Sequence, residues 1–193
     1  MKTLEMINQC PDIRIHPLIE ETIANISHNW EKVLNECENL RKNSPVLEVT
    51  RKYAWETSQP KEGWVYSWNQ SRDWLNYGLI SNYKVIDANK ETCKETMNLL
   101  QSLYAAGFVK VAGFSRMLPN CHLKTHKHEN YERVTWHLGL IIPDSEKCVL
   151  TVNNIQYKQK EGQWIRFNDS QNHSSTNFTD KERIILYLKL KEL

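Results

Sequence analysis

No CxxC pair occurs in this sequence, and its five cysteines, Cys10, Cys37, Cys93, Cys121 and Cys148, are odd in number and widely spaced. That argues against both a cysteine-built zinc knuckle and a disulfide framework; reduced thiols in a reducing compartment are the expectation. A long apolar run is also missing. No uninterrupted stretch approaches the roughly 20 residues a spanning helix requires, and the segment Met1 to Cys10 lacks the apolar centre of a signal peptide. The sequence therefore predicts a cytoplasmic protein without integral membrane association. Charge of one sign is scarce as well: 25 Lys and Arg stand against 23 Asp and Glu, interspersed, for a formal net charge of +2. Without a basic stripe no nucleic-acid footprint is expected, and a small or peptide-like partner fits better. Internal repeats and low-complexity tracts are absent.

A chain of 193 residues with 40% hydrophobic content is long enough for one real core and too short for two ordinary ones, so residues 1–193 read as one domain. From His16-Pro17 onward, Leu18, Ile19, Ile23, Ile26, Trp30, Val33, Leu34, Cys37 and Leu40 recur at helical spacing. A single long amphipathic helix is predicted over about 16–43, stopping before Pro45. From Val46 to Tyr83 the pattern is irregular and rich in tryptophan (Trp55, Trp64, Trp68, Trp74), and no element is assigned. Those tryptophans read first as packing and second as a grip on a ligand. A second helix is predicted over about 89–104, with Met97, Leu99, Leu100 and Leu103 as its stripe.

After Gly107 the texture changes to short apolar runs between turns. Strands are predicted at Val109–Met117, Val134–Ile142, Cys148–Val152, Gln163–Phe167 and Arg183–Leu190, with turns at Pro143-Asp-Ser and Lys160-Glu-Gly. Helices followed by six to eight strands predict a mainly β fold: a double-stranded β-helix, or jelly roll, with N-terminal helices packed against it. Its core would occupy about 107–190 and carry the chemistry.

Four of the seven histidines fall between residues 122 and 137, and His173 stands alone in a polar stretch. If the segment is straight, His122, Lys124, His126 and His128 share one face. Imidazoles on one face begin a metal site but do not choose among Fe, Zn, Ni and Cu; a solvated strand end is the competing account. His137 interrupts the apolar run Val134-Thr-Trp-His-Leu-Gly-Leu-Ile-Ile, where a polar group must be paired, so the pattern reads it as a buried, hydrogen-bonded structural residue. Arg183 opens the run Ile-Ile-Leu-Tyr-Leu and shares a face with Ile185 and Tyr187. Its guanidinium would take either an acid-bearing ligand inside the barrel or a salt bridge with Asp180 or Glu182.

These anomalies lie in four ordered blocks: Ser115 to His126, Arg133 through His137 to Pro143, Phe167 to His173, and Arg183-Ile-Ile. Together they resemble the aspartyl/asparaginyl β-hydroxylase family, closely from about Gly107 to Leu190 and more loosely from Trp64 to Met97. The resemblance implies a jelly-roll oxygenase using Fe(II), 2-oxoglutarate and O2. It implies that His126 and His173 bind iron, that Arg183 and Ser115 hold the distal carboxylate of 2-oxoglutarate, and that His137 approaches its metal-side end. The implied substrate is the β-carbon of an Asp or Asn residue in a peptide, carrier-bound or small amino-acid partner.

Two positions depart from the pattern. Where many such oxygenases carry an acid two residues after the first histidine, and the animal aspartyl hydroxylases a glycine, this chain has His128: a third imidazole ligand, an outer group, or a solvent-facing side chain. Glu129 beside it would point to the opposite face. Where animal members resemble Arg-x-Arg, this chain reads Arg133-Val-Thr135, leaving Arg133 as the one substrate-binding cation carried over. Three alternatives stay open: hydroxylation of a lipid acyl chain, a non-redox cupin-like metalloprotein (a zinc or nickel isomerase or hydrolase), and a degenerate barrel that only binds.

Overall fold

The structure is a computed structural model that describes residues 6–50, 62–66, 72–128 and 133–192, the side chains of 49, 50 and 133 excepted. Trp55, Trp68 and Glu129, singled out above, lie outside the described residues.

Thirteen strands are described. Five precede the jelly roll: β1 (Met6–Asn8), β2 (Val46–Thr50), β3 (Trp64–Tyr66), β4 (Trp74–Ser81) and β5 (Lys84–Val85). Eight build it: β6 (Val109–Met117), β7 (Cys121–His126), β8 (Arg133–Ile141), β9 (Cys148–Val152), β10 (Ile155–Lys158), β11 (Trp164–Phe167), β12 (His173–Asn177) and β13 (Arg183–Lys191). The larger sheet runs β1-β11-β8-β13-β6-β4-β3-β2, with β5 on β4, and the smaller runs β10-β9-β12-β7. Counted from β6, strands one, eight, three and six lie in one sheet and two, seven, four and five in the other. This is the winding of a double-stranded β-helix, as the sequence predicts.

Alternation makes the larger sheet two-faced. On β13, Ile184, Leu186, Leu188 and Leu190 join Val134, Trp136, Leu138 and Leu140 of β8 and Phe114 of β6 in the main apolar core, together with Ile19, Ile23, Ile26, Val33, Cys37 and Leu40 of the N-terminal helices. The intervening residues Arg183, Ile185 and Tyr187 face the smaller sheet across a cavity. The helices sit on the first face because their apolar stripes have nowhere else to be buried.

The predicted 16–43 helix is two helices, α1 (Pro17–His28) and α2 (Trp30–Asn43). Asn29 breaks it: its amide donates to the Asn25 carbonyl (3.0 Å) and its backbone sits at φ −99°, ψ 22°, the local competition that disfavours Asn inside helices. The second predicted helix is a short helical passage from Asp87 to Cys93 leading into α3 (Lys94–Ala105). Trp64 and Trp74 fall on strands rather than in irregular chain. β4, missed in the sequence, is buried on both faces over most of its length, so it shows no polar alternation. Gly139 is required by a close approach: a Cβ there would stand 2.0 Å from the Lys160 carbonyl oxygen.

Candidate metal centre and cavity

Between the sheets lies a cavity of about 90 Å³, above the roughly 10–15 Å³ that a single water needs. The smaller sheet contributes Leu123, His126, Leu150, His173 and Ser175; the larger contributes Trp74, Asn76, Ser115, Met117, Thr135, His137, Phe167, Arg183, Ile185 and Tyr187; His128 and Asp169 complete the wall.

His126, His128 and His173 converge, with one nitrogen from each lying within 4.8 Å of the others. β12 pairs with β7 so that His173 stands opposite His126. Each of these rings places its Nδ1 2.8 Å from a carbonyl two residues upstream, Lys124 for His126 and Gln171 for His173. Nδ1–H donating to that carbonyl leaves Nε2 with its lone pair free, the arrangement by which metal-bound histidines are oriented. Burial holds the His173 pKa below the ordinary imidazole value, and burial, with Lys189 next in importance, pushes His128 down to about 4. Both rings are therefore neutral near pH 7, the form that binds a cation.

The expectation that His122, Lys124, His126 and His128 share a face fails at a bulge. His173 pairs with His126 but Ser175 with Leu123, so β7 carries an extra residue between those pairs. Leu123 and His126 thus face the cavity, whereas His122 and Lys124 are exposed, His122 with its ring near Phe178. His128 follows β7 with its amide donating to the Asp169 carbonyl (2.9 Å).

Arg183 is 2% exposed. Its Nε donates to Gln159 Oε1 (2.6 Å), while its Nη2 is buried without a partner. The salt bridge to Asp180 or Glu182 weighed above is not formed: Glu182 pairs with Arg116 instead. Burial lowers the Arg183 pKa to about 10, which marks a cation lacking an anion. Ser115, on the neighbouring strand β6 opposite Ile185, accepts from Trp74 Nε1 (2.7 Å), leaving its hydroxyl proton to be given elsewhere. His137 is buried, but its Nδ1 has no partner, so the hydrogen-bonded structural role read from the pattern does not hold. Burial first, then Arg183 and His173, keep its pKa well below the ordinary value. Thr135 and Ser175 add two more buried hydroxyls without partners.

Of the tryptophans of the Val46 to Tyr83 stretch, the two that are described differ: Trp64 is core, donating to the Leu40 carbonyl (3.1 Å), and Trp74 is cavity wall. The Arg133 side chain lies outside the described residues. Sequence reading missed Asp169, Lys189, Gln159 and Ser175. Lys189 alone carried a signal, being at an inward position of the alternating run that opens with Arg183.

The donor set and a buried guanidinium with a free Nη2 and no anion fit a metal ion and an acid-bearing ligand in one chamber. Residues 27–192 match the aspartyl/asparaginyl β-hydroxylase family. The chain is similar to an uncharacterized protein of Acanthamoeba polyphaga mimivirus, 23% identical over 87% of this chain and 65% of that one. It is also similar to the ornithine lipid ester-linked acyl 2-hydroxylase of Rhizobium tropici, 28% identical over 60% of this chain and 40% of that one. The chain thus spans less than two thirds of either relative. Among solved structures, a predicted oxalate decarboxylase from Thermotoga maritima aligns with a TM-score of 0.42 at 16% identity, covering 61% of this chain and 80% of that one. Among the described residues, no helix is long and apolar enough to cross a membrane.

Proposed function

Since the chain belongs to the aspartyl/asparaginyl β-hydroxylase family, we propose that it is an Fe(II)- and 2-oxoglutarate-dependent dioxygenase hydroxylating the β-carbon of an Asp or Asn residue in a peptide or carrier-bound amino acid. The observation that carries the reading is the pairing, in one cavity, of a convergent imidazole cluster with a buried guanidinium that has no anion. A non-redox zinc or nickel protein of the same fold would have no use for that cation.

In this reading His126 and His173 hold the metal through Nε2. When bound, iron and cosubstrate supply the oxidation: one oxygen atom of O2 enters the substrate C–H bond and the other leaves in succinate as 2-oxoglutarate loses CO2. The chain's own part is placement. Arg183 Nη2 and the Ser115 hydroxyl donate to the distal carboxylate, a charge-assisted contact that a buried guanidinium favours. His137, kept neutral by burial, offers a single ring proton to the other end of the cosubstrate. Leu123, Leu150, Phe167 and Ile185 keep water from the reacting atoms, and Arg133 takes the polar group of the substrate.

A second reading, hydroxylation of a lipid acyl chain, is favoured by the similarity to the ornithine lipid hydroxylase. Anaerobic addition of Fe(II) and then 2-oxoglutarate is expected to give the weak visible band of an iron–keto-acid chelate, lost in His126→Ala. Absence of the band with tight zinc binding would sink the oxygenase reading. Succinate release driven by Asp- or Asn-containing peptides, against ornithine lipid in micelles, then separates the two substrate classes.

A further inference from the structure

His126 and His173 are placed by strand pairing and by their own ring contacts to the backbone. His128 is not on a strand. It lies beyond the end of β7, and its backbone is tied to the cavity wall by its amide bond to the Asp169 carbonyl (2.9 Å). Asp169 is in turn 1% exposed, and its carboxylate forms an ion pair with Lys189 of β13, itself 6% exposed. Lys189 stands opposite Thr135 in the β8–β13 register, at the far end of the inward row that begins with Arg183. A buried lysine and a buried aspartate beside the imidazole cluster are costly to desolvate, and neither is a ligand in the reading above.

We propose that His128 is the third ligand of the metal, making an all-imidazole set, and that the buried Lys189–Asp169 pair is a clamp that holds it there. Lys189 pins Asp169, and Asp169 holds the His128 backbone so that the ring enters the cluster. The pair has a second effect: with its charge answered by Lys189, the Asp169 carboxylate stays a wall group and does not replace an imidazole on the ion. Asp169 and Lys189 are thus positioning residues that act through His128. The inference rests on the metal-site reading above but not on 2-oxoglutarate or on any substrate.

Co(II) alone, added to the full chain, tests it, with affinity and the number of imidazole N–H proton resonances shifted by the paramagnetic ion as readouts. Three shifted imidazole signals are expected in the wild type and two in His128→Ala. Asp169→Asn is expected to weaken Co(II) binding by roughly ten- to a hundred-fold, the usual scale for groups that orient a ligand, and to show two signals. Adding His128→Ala to Asp169→Asn should then cost nothing further. Removing one partner of a buried pair can unfold a protein, so Lys189→Met with Asp169→Leu, which leaves no unpaired charge, is measured alongside; it should keep the apo melting temperature and show the same loss. Two signals in the wild type, additive losses, or full affinity in the folded double variant would overturn the clamp. Three signals without a keto-acid band would instead overturn the oxygenase reading and leave the clamp standing.

Discussion

The larger sheet buries an arginine on each of its faces, and the two are treated oppositely. Arg166, on the helix side, is fully enclosed and saturated: its guanidinium meets Glu192 through Nε and Nη2, Asn8 Oδ1 and the Cys10 carbonyl through Nη1, and the Ile13 carbonyl through Nη2. Trp136 Nε1 completes the surroundings of Glu192. Arg183, on the cavity side, has one neutral acceptor, Gln159, and a free Nη2. A buried cation whose anion is built into the chain serves the fold. One with no anion in the chain fits the role proposed for Arg183, binding the carboxylate of a ligand.

The largest expected effect breaks this contrast from the helix side. Arg166→Met leaves Glu192 buried and unpaired and should lower unfolding free energy by about 3–5 kcal/mol, read from urea denaturation, with metal affinity unchanged in the folded fraction. Arg183→Met should move apo stability by less than about 1 kcal/mol, because relief of an unanswered cation offsets the lost donor to Gln159. Its effect belongs to the ligand: a 2-oxoglutarate requirement raised by roughly ten- to a hundred-fold, the loss of a charge-assisted bond of about 1.5–3 kcal/mol, with unchanged Co(II) affinity. A destabilisation equal to that of Arg166→Met would erase the distinction.

Smaller effects sharpen it. Trp74→Phe removes the donor to Ser115 and should cost about 1 kcal/mol or less in cosubstrate affinity, measurable by titration calorimetry. His137 gives the contrast a pH signature. Its folded pKa lies well below the ordinary imidazole value, so the unfolded chain takes up its proton first as pH falls. The stability contributed is present above about pH 6.5 and is lost below it. The apo urea midpoint should therefore drop between pH 7 and pH 5, with a shallower slope in His137→Gln.

Much of the helix-side face was legible because its residues lie in short apolar runs bounded by turns: Ile184 to Leu190 and Val134 to Leu140 announce strands. The cavity face was legible only where an inward residue was conspicuous, as at His137 and Arg183, and the family blocks tied those two to His126 and His173. What escaped required knowledge of non-local pairing. The bulge that turns His122 outward is set by the register of β12, which no local pattern encodes. Asp169 and Lys189 are 20 residues apart: Asp169 looks like an ordinary surface charge, and the inward position of Lys189 names no partner until the winding of the barrel brings the two together. Asn29 splits a helix without the proline or glycine that would have announced a break.

The saturation of Arg166 reaches beyond stability. Its acceptors Asn8, Cys10 and Ile13 all lie in the segment that carries β1, and β1 covers the outer edge of β11 as a three-residue parallel strand. The family match begins only at residue 27, downstream of all of this. A chain shortened to the matched region would expose the backbone of β11 as an open template for a neighbouring molecule and leave the guanidinium short of three of its acceptors. Self-association through that edge would then mask whatever the cavity can do.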